Sequence, residues 1–357
     1  MKMREILLGL MAVIWLSGCE HELLLTADDR SDRITVNAVA NVDTVVYAYV
    51  MESKDLNYDG GLMYRADYYS YERRVYRKEL WYVSEEKNDM VLKEAKAKLI
   101  VNGRDEYEMK YDEKYMSYNS EYVPKEGDRL KIKVKSKSNA TASGDVVELD
   151  DVEASVEIPS TRPRLEILKT EVYPKKRTFR DVVEAMGDTV SITDMYGADT
   201  VMNITMKIVD PGDEKNFYRL LVRSVGYTRL PQAAKGGYIC TDDFESTDLL
   251  FYDADLIKQY GTIPAYFTNV FDDELLNGKE YVVEVESRMR RNSEVRPYVI
   301  VELQHLSPDL YYYMKDMEVF RISDFDLYQY PIQIWSNVKG GWGVFGAMSY
   351  DQHIVEF

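Results

Sequence analysis

The stretch AKAKLIVNGRDEYEMKY, residues 95–111, decides the expected fold class. Apolar and polar residues alternate up to Asn102-Gly103 and alternate again after it. A period of two places the apolar side chains on one face of a strand, and Asn-Gly favours a tight hairpin turn. The stretch therefore predicts two antiparallel strands joined at Asn102-Gly103.

Short alternating runs of the same kind recur around this hairpin. They occupy residues 34–38, 45–49, 130–134 and 152–158. Evenly spaced strands without convincing helices predict an immunoglobulin-like β-sandwich of about 100–130 residues. We expect this sandwich to span residues 33–160.

Two prolines, Pro159 and Pro163, mark the expected domain boundary. Proline fixes φ and lacks the backbone N–H, so it disfavours both helices and central strands. Residues 161–357 should then form a larger β-rich domain, an antiparallel sandwich or a barrel-like sheet with a few short helices. The expected fold class is mainly β with two domains.

Two helices are expected in the second half. One covers residues 253–260, and the other begins at Ser307-Pro308, where serine can cap the helix and proline suits its first position. The apolar face of the second helix, expected to pack in the core, consists of Leu310, Met314, Met317 and Phe320.

Composition excludes some classes of partner. The chain has 357 residues, of which 45% are hydrophobic, and it carries a net charge of −17. A globular protein with this charge lacks the basic surface that nucleic acids require, and it would be repelled by an anionic lipid leaflet. We therefore expect no nucleic-acid partner.

The amino terminus resembles a bacterial lipoprotein signal. A basic start is followed by an apolar run over residues 6–16, which is shorter than the roughly 20 residues of a membrane span. Leu16-Ser17-Gly18-Cys19 then resembles a lipobox. The resemblance implies that residues 1–18 are a signal peptide, that Cys19 is lipidated, and that residues 19–32 are a tether. An ordinary secretory signal with an incidental cysteine is the alternative.

The residues after Cys19 bear on which side of the membrane the protein faces. Glu20 and Glu22 resemble the surface-export signal of Bacteroidota lipoproteins. We expect a lipid anchor in the outer membrane with display at the cell surface, and a periplasmic orientation is the alternative. The membrane contact expected is through the lipid alone.

The segment GWGVFG, residues 341–346, fits the G-x-G-x-x-G pattern of nucleotide-binding loops. That pattern needs a following helix, a second strand and an acidic residue about 20 positions on, and the chain ends too early for them. We expect a structural role, in which Gly340 and Gly341 turn the chain and Gly343 and Gly346 let a strand pass close to another backbone. Trp342 and Phe345 should pack beside them.

Other motifs give few candidates for chemistry. Asp55, Asn57 and Asp59 resemble the start of a calcium loop, but Ala66 replaces its bidentate glutamate, so a solvated turn is the favoured interpretation. His305 should be a packed histidine and Cys240 an inert thiol. The carboxylates at residues 242–243 and 272–274 leave a glycan hydrolase open. We expect no cofactor and no catalytic residue.

Four segments of the second half resemble one family. They are PGDEKNFYRLLV (211–222), FTNVFDDELLNGKEYVVEVE (267–286), VIVELQHLSPDLYYYMKDME (299–318) and PIQIWSNVKGGWGVFGA (331–347). The chain resembles the Bacteroidota lipoproteins of domain of unknown function 4249, with Asn337 and Gly340 to Gly346 among the matching positions. The resemblance implies a lipoprotein encoded beside TonB-dependent outer-membrane receptors, and it supplies no catalytic residue.

These observations predict an accessory or binding lipoprotein of the cell envelope, working with a TonB-dependent outer-membrane receptor. The alternatives are a carboxylate-based glycan hydrolase and an adhesive or structural surface protein.

Overall fold

The computed structural model describes residues 33–53, 64–70, 75–82, 90–138, 146–176, 198–212, 214–228, 237–242, 244–252, 267–289, 298–323 and 334–356. Their strands are β1 (Ile34–Asn41), β2 (Tyr47–Glu52), β3 (Tyr64–Ser70), β4 (Val75–Tyr82), β5 (Lys96–Val101), β6 (Asp105–Asp112), β7 (Ser117–Asn119), β8 (Arg129–Lys135), β9 (Val152–Glu157), β10 (Arg164–Lys176), β11 (Ala198–Val209), β12 (Phe217–Thr228), β13 (Gly237–Asp242), β14 (Phe244–Glu245), β15 (Val270–Asp272), β16 (Glu280–Met289), β17 (Tyr298–Leu306) and β18 (Trp342–Glu356). The described α-helix is α1 (Pro308–Ser323), and a short 3-10 helix covers Leu249–Phe251. The prediction of a mainly β fold is confirmed.

The described strands form three sheets. The largest has twelve strands in the order β13-β12-β17-β18-β1-β2-β7-β6-β5-β8-β9, with β15 paired to β12 beside this path. A second sheet has the order β10-β11-β16-β14, and β3 pairs with β4 alone. The order of the largest sheet has two ends, so its described strands form an open sheet and not a closed barrel.

The predicted hairpin at Asn102-Gly103 is confirmed. β5 and β6 are antiparallel, with Val101 opposite Asp105. Both turn residues have positive φ, 51° at Asn102 and 70° at Gly103, as a tight hairpin turn of this kind requires. The alternating residues Ala97, Leu99 and Val101 are buried.

A first apolar core lies between β1, β2 and the start of β18 on one side and β5, β8 and β9 on the other. The inward side chains come from alternate positions of these strands, as a half-buried strand requires. Members from both sides include Val36, Ala48, Phe345, Leu99, Ile132 and Ala154.

A second apolar core lies between the large sheet and the second sheet. β12 and β17 contribute Leu220, Val222 and Val301, and the second sheet contributes Ile204 and Val285. β17 is buried along its full length, because it lies between β12 and β18 and is covered on both faces.

β18 joins the two halves of the large sheet. Residues 342–348 pair in parallel with β1, and residues 348–356 pair antiparallel with β17. Strands from residues 33–160 and strands from residues 161–357 therefore occur together in the largest sheet. The domain boundary at residue 160 stays a prediction.

The proline segment at this boundary is held at several points. Arg162 donates to both carboxylate oxygens of Asp43, at 3.0 and 3.1 Å, and to Glu126 at 2.6 Å. The carbonyl of Thr161 accepts from Ser349 at 3.0 Å. The segment is thus bonded to the loop after β1, to the loop before β8 and to β18.

The helix expected at Ser307-Pro308 is present as α1. Leu310 is buried and packs with Met314, but Met317 is 36% exposed, so the prediction of a core face is wrong at Met317. The face of α1 that meets the sheet is narrower than the apolar stripe of the sequence. The expected helix at 253–260 and the side chain of Phe320 lie outside the described residues. Among the described residues, no helix has the length and apolar character needed to cross a bilayer.

Candidate functional site

The structure describes some of the predicted site residues and not others. Leu16, Ser17, Gly18 and Cys19 lie outside the described residues, as do Asp55, Asn57 and Asp59 of the calcium-like motif. Lipidation and calcium binding therefore stay predictions. The carboxy-terminal motif from Asn337 to Gly346 is described in full, at the start of β18.

Two glycines of this motif lie against β1. A Cβ on Gly341 would overlap the carbonyl oxygen of Ile34, and a Cβ on Gly343 would overlap that of Val36 and lie 2.8 Å from Asn37 Oδ1. Gly343 also has φ of 100°, which side chains rarely adopt. Only glycine lets β18 and β1 approach so closely at these positions.

The other two glycines contact different parts of the molecule. Gly340 has φ of 82°, and a Cβ there would lie 2.8 Å from the carbonyl oxygen of Asp151. A Cβ on Gly346 would lie 2.7 Å from Leu310 Cβ, so the absence of a side chain at Gly346 lets α1 pack closely on β18. Protein atoms therefore fill the space beside the glycines that a phosphate would need.

Asn337 and Ser307 bond to the edge of β18 opposite β1 at Phe345 and Ala347. Asn337 accepts from Phe345 N through Oδ1 and donates to Phe345 O through Nδ2, both at 2.9 Å. Ser307 accepts from Ala347 N through Oγ at 3.0 Å, and its backbone N–H donates to Ala347 O at 2.8 Å. Unpaired strand edges invite association with other strands, and these contacts remove that exposure.

The two aromatic residues of the motif differ in burial. Phe345 is fully buried in the first core, whereas Trp342 is 48% exposed. The guanidinium carbon of Arg33 lies 5.3 Å from the centre of the Trp342 ring, within the range of a cation–π contact. Trp342 thus lies beside the first described residue of the chain.

The carboxylates considered for hydrolysis make local contacts. Asp272 forms an ion pair with Lys215 at 3.0 Å, and its Oδ1 accepts from Glu274 N at 3.1 Å. Asp273 is buried and accepts from Asn216 N at 2.8 Å. Asp242 ends β13, and residue 243 lies outside the described residues.

A buried carboxylate holds two turns together. Asp210 accepts from the Tyr218 hydroxyl at 2.7 Å, from Asn216 Nδ2 at 3.2 Å and from Gly278 N at 2.6 Å. A methyl group on Gly212 would overlap the backbone of Gly278, so the two glycines bring the turns into contact. Burial, together with the bond to Asp210, raises the pKa of Tyr218 well above its usual value.

His305 is packed beside this network, as expected from its place in an apolar run. It is 5% exposed, and its ring centre lies 5.4 Å from that of Tyr218. Nδ1 lies 3.0 Å from the carbonyl oxygen of Thr161 and donates to it. Burial lowers the pKa of His305 below its usual value, although this hydrogen bond and nearby carboxylates act in the opposite direction.

A buried polar group of β12, β17 and β18 was not apparent from the sequence. Glu302 accepts from Gln304 Nε2 at 2.6 Å and from Gln352 Nε2 at 3.0 Å, and Arg223 lies 3.5 Å from its carboxylate. Arg223 and Glu302 are both 6% exposed. Buried charges are costly unless they are paired and hydrogen-bonded, and this carboxylate has three such neighbours.

An exposed aromatic pair, formed by one residue of α1 and one residue that follows it in the chain, was also missed. Tyr312 is 42% exposed and Trp335 is 43% exposed, and their ring centres are 5.3 Å apart with planes inclined at 45°. We call these two residues the aromatic platform. Asp316 Oδ2 accepts from Trp335 N at 2.6 Å, and Asp309 Oδ1 accepts from Trp335 Nε1 at 3.1 Å.

One signal for the platform was present in the sequence. Asp309, Tyr312 and Asp316 are spaced by three and four residues, which places them on one face of a helix. Only the apolar face of α1 was used in predicting this helix from the sequence, and this polar face was not considered. That Trp335 lies across it depends on the path of the chain after α1, which the sequence pattern does not indicate.

Comparison with known proteins gives a family and nothing narrower. The family model described as "Domain of unknown function (DUF4249)" matches residues 20–354. No curated protein and no solved structure matches the chain.

Proposed function

The chain belongs to the family of domain of unknown function (DUF4249), and we propose that it is a lipid-anchored protein of the cell envelope that holds a protein partner. The proposed partner is an outer-membrane receptor of the TonB-dependent class. The segment Leu16-Ser17-Gly18-Cys19 supports lipid attachment at Cys19, and Glu20 and Glu22 support display at the cell surface. Several acyl chains on one residue would give stable anchoring.

One observation carries the holding role: the strand that directly follows the tether is a central strand. β1 lies between β18 and β2 in the largest sheet. Its parallel pairing with β18 runs from Thr35 opposite Trp342 to Asn41 opposite Met348. A pull along the tether would load two ladders of hydrogen bonds together, and it would not peel an edge strand. This arrangement suits a protein that stays attached while a partner moves.

The use of the family motif supports the same role. Gly341 and Gly343 allow the close approach of β18 to β1, and Asn337 and Ser307 bond to the opposite edge of β18. These residues build a rigid framework. Asp272 and Asp273 serve in an ion pair and a buried backbone hydrogen bond, which favours binding over the hydrolase alternative.

The test is affinity purification of the tagged full-length protein from native membranes after mild solubilisation and cross-linking. We expect an outer-membrane receptor of the TonB-dependent class to be recovered in near-stoichiometric amount. A second lipoprotein of the same organism, carrying the same tag, is the control for non-specific capture.

Two outcomes would overturn the proposal. One is that the tagged protein recovers no more of the receptor than the control lipoprotein does. The other is turnover of a glycan substrate that Asp272→Asn or Glu274→Gln abolishes, which would establish the hydrolase alternative.

A further inference from the structure

We propose that the aromatic platform binds a neutral saccharide chain. The inference goes beyond the proposed function and does not depend on it. It rests on the exposure of Tyr312 and Trp335, on the way Trp335 is fixed, and on the polar groups at the edge of the two rings.

Trp335 is exposed but not free to turn. Its backbone N–H and its indole N–H both donate to carboxylates of α1, on Asp316 and Asp309. Exposed tryptophans commonly keep the indole N–H for water or a partner. Here that group is already bonded, so the ring presents mainly its apolar surface. A ring fixed before binding loses little entropy when a ligand stacks on it.

The neighbouring rings extend and support this surface. Tyr312 lies next to Trp335. The ring centre of Phe217, which is 5% exposed, lies 5.8 Å from that of Tyr312. Phe217 also stacks on Tyr311, with ring centres 4.4 Å apart. The platform therefore rests on a packed aromatic row that reaches into the molecule. Its geometry is set by the framework and not by a mobile side chain.

Polar groups surround the platform. Asp309 and Asp316 each use one oxygen on Trp335, and the second oxygen of each has no hydrogen bond to the described residues. The ammonium group of Lys215 lies 5.7 Å from the ring centre of Phe217, the neighbour of Tyr312, and forms an ion pair with Asp272. Hydrogen-bond acceptors therefore lie at Trp335, and a donor lies beside Phe217, the ring next to Tyr312.

This combination matches the chemistry of a sugar ring. A pyranose presents C–H groups on its faces and hydroxyl groups around its edge. The C–H face can stack on an aromatic ring, while the hydroxyls donate to carboxylates and accept from an ammonium group. Binding sites of this type combine apolar contact with a few placed polar groups.

The negative charge of the protein favours neutral saccharides over anionic ones. The chain carries a net charge of −17, and the carboxylates of Asp309 and Asp316 both bond to Trp335 of the platform. Uronates, sulfated glycans and phosphates would be repelled. A protein partner centred here would desolvate these carboxylates, and charged residues are depleted at the centres of protein interfaces. A neutral saccharide can instead satisfy them with its hydroxyl groups.

The test is affinity gel electrophoresis of the purified full-length protein in a non-ionic detergent, in gels that contain a β-glucan, a galactomannan, dextran or polygalacturonate. We expect at least one neutral polysaccharide to retard the wild-type protein, and polygalacturonate not to do so. Trp335→Ala and Tyr312→Ala should each weaken this binding by about tenfold or more, equivalent to ~1.4 kcal/mol. Trp335→Phe, which keeps a flat ring, should retain more binding than Trp335→Ala.

Trp342→Ala is the matched control, because Trp342 has a similar exposed fraction and lies next to Arg33. We expect it to bind as the wild type does, and circular dichroism should show all variants folded. Retardation by none of the neutral polysaccharides would overturn the proposal, as would equal binding by Trp335→Ala and the wild type. Loss of the outer-membrane receptor from purifications of Trp335→Ala, without any saccharide binding by the wild type, would assign the platform to a protein contact instead.

Discussion

The side-chain amide of Asn337 makes both hydrogen bonds that a neighbouring strand would make with Phe345. Oδ1 accepts from Phe345 N, and Nδ2 donates to Phe345 O, each at 2.9 Å. One side chain thus completes the pairing of β18 at a residue of the first core. Asn337 is one of the positions that carry the resemblance to the family, and its hydrogen bonds give it a framework role.

Asn337→Ala should lower the free energy of unfolding by about 1–3 kcal/mol, because it leaves the N–H and the carbonyl of Phe345 without partners. Asn337→Asp keeps the acceptor but loses the donor, and it should also destabilise. Urea denaturation followed by fluorescence measures both. Ser336→Ala is the control, since Ser336 accepts one longer bond, from Val338 N at 3.3 Å. Equal midpoints for Asn337→Ala and Ser336→Ala would contradict this account.

Gly343→Ala should destabilise the protein more than Gly103→Ala does. Both glycines have positive φ, 100° and 70°, so both substitutions strain the backbone. A Cβ on Gly103 meets no atom within 4 Å, whereas one on Gly343 overlaps the carbonyl oxygen of Val36. Gly103→Ala should cost about 1–2 kcal/mol, the cost of the left-handed conformation. The further loss in Gly343→Ala measures the close approach of β18 to β1.

Guanidinium denaturation of the two glycine variants gives the comparison, and similar losses of unfolding free energy would show that β18 can shift.

A second measurement addresses the resemblance of residues 341–346 to a nucleotide loop. Thermal unfolding of the wild type with NAD or ATP at saturating concentration should show no stabilisation. A clear rise in the midpoint with either nucleotide would contradict the framework role of these glycines.

Stability should fall as the pH drops below about 6.5, in part because of His305. Burial holds the pKa of His305 below its ordinary value of 6.5 in the folded state. The unfolded chain therefore binds a proton first as the pH falls. A group with a lowered folded pKa stabilises the protein fully above the unfolded value, and this contribution is lost as the pH falls through the folded value.

The measurement is the unfolding midpoint of the wild type and of His305→Gln between about pH 5.5 and 7.5, where histidine titrates. We expect a flatter profile for His305→Gln, since glutamine does not titrate and can still donate to Thr161. His353→Gln is the control, because the side chain of His353 is 38% exposed. The explanation fails if His305→Gln and the wild type have the same slope.

Cys19→Ser should abolish lipid attachment, because serine lacks the thiol that accepts the lipid in the lipobox mechanism. We expect the variant to leave the membrane fraction or to remain as an uncleaved precursor. Mass spectrometry of the mature wild-type amino terminus is the direct check. An unmodified terminus at a residue other than Cys19 would overturn the lipid-anchor part of the proposed function.

Local patterns of the sequence were sufficient for several of the strands and for some turns. Alternation over residues 95–111 predicted β5, β6 and their turn, because burial of one strand face imposes a period of two. Ser307-Pro308 predicted the start of α1, where Ser307 accepts from Leu310 N at 3.4 Å. These features depend on residues that are close together in the chain.

The candidate sites depended on contacts between distant residues. The aromatic platform forms because Trp335 lies across the face of α1 that carries Tyr312. The sequence alone does not distinguish an exposed tyrosine from a buried one. The buried position of Glu302 depends on Arg223 and Gln352, which come from two other strands. Such contacts cannot be inferred from the spacing of residues within one segment.

The sequence by itself determined that the chain is mainly β and where several turns and the start of α1 lie, and it predicts a lipoprotein signal at the amino terminus. Only the tertiary structure decided that β1 pairs in parallel with β18, and that α1 rests on Gly346. The physical reason is the range of the interactions. Hydrophobic periodicity and turn geometry act between near neighbours, whereas strand order and surface exposure follow from how distant segments exclude water together.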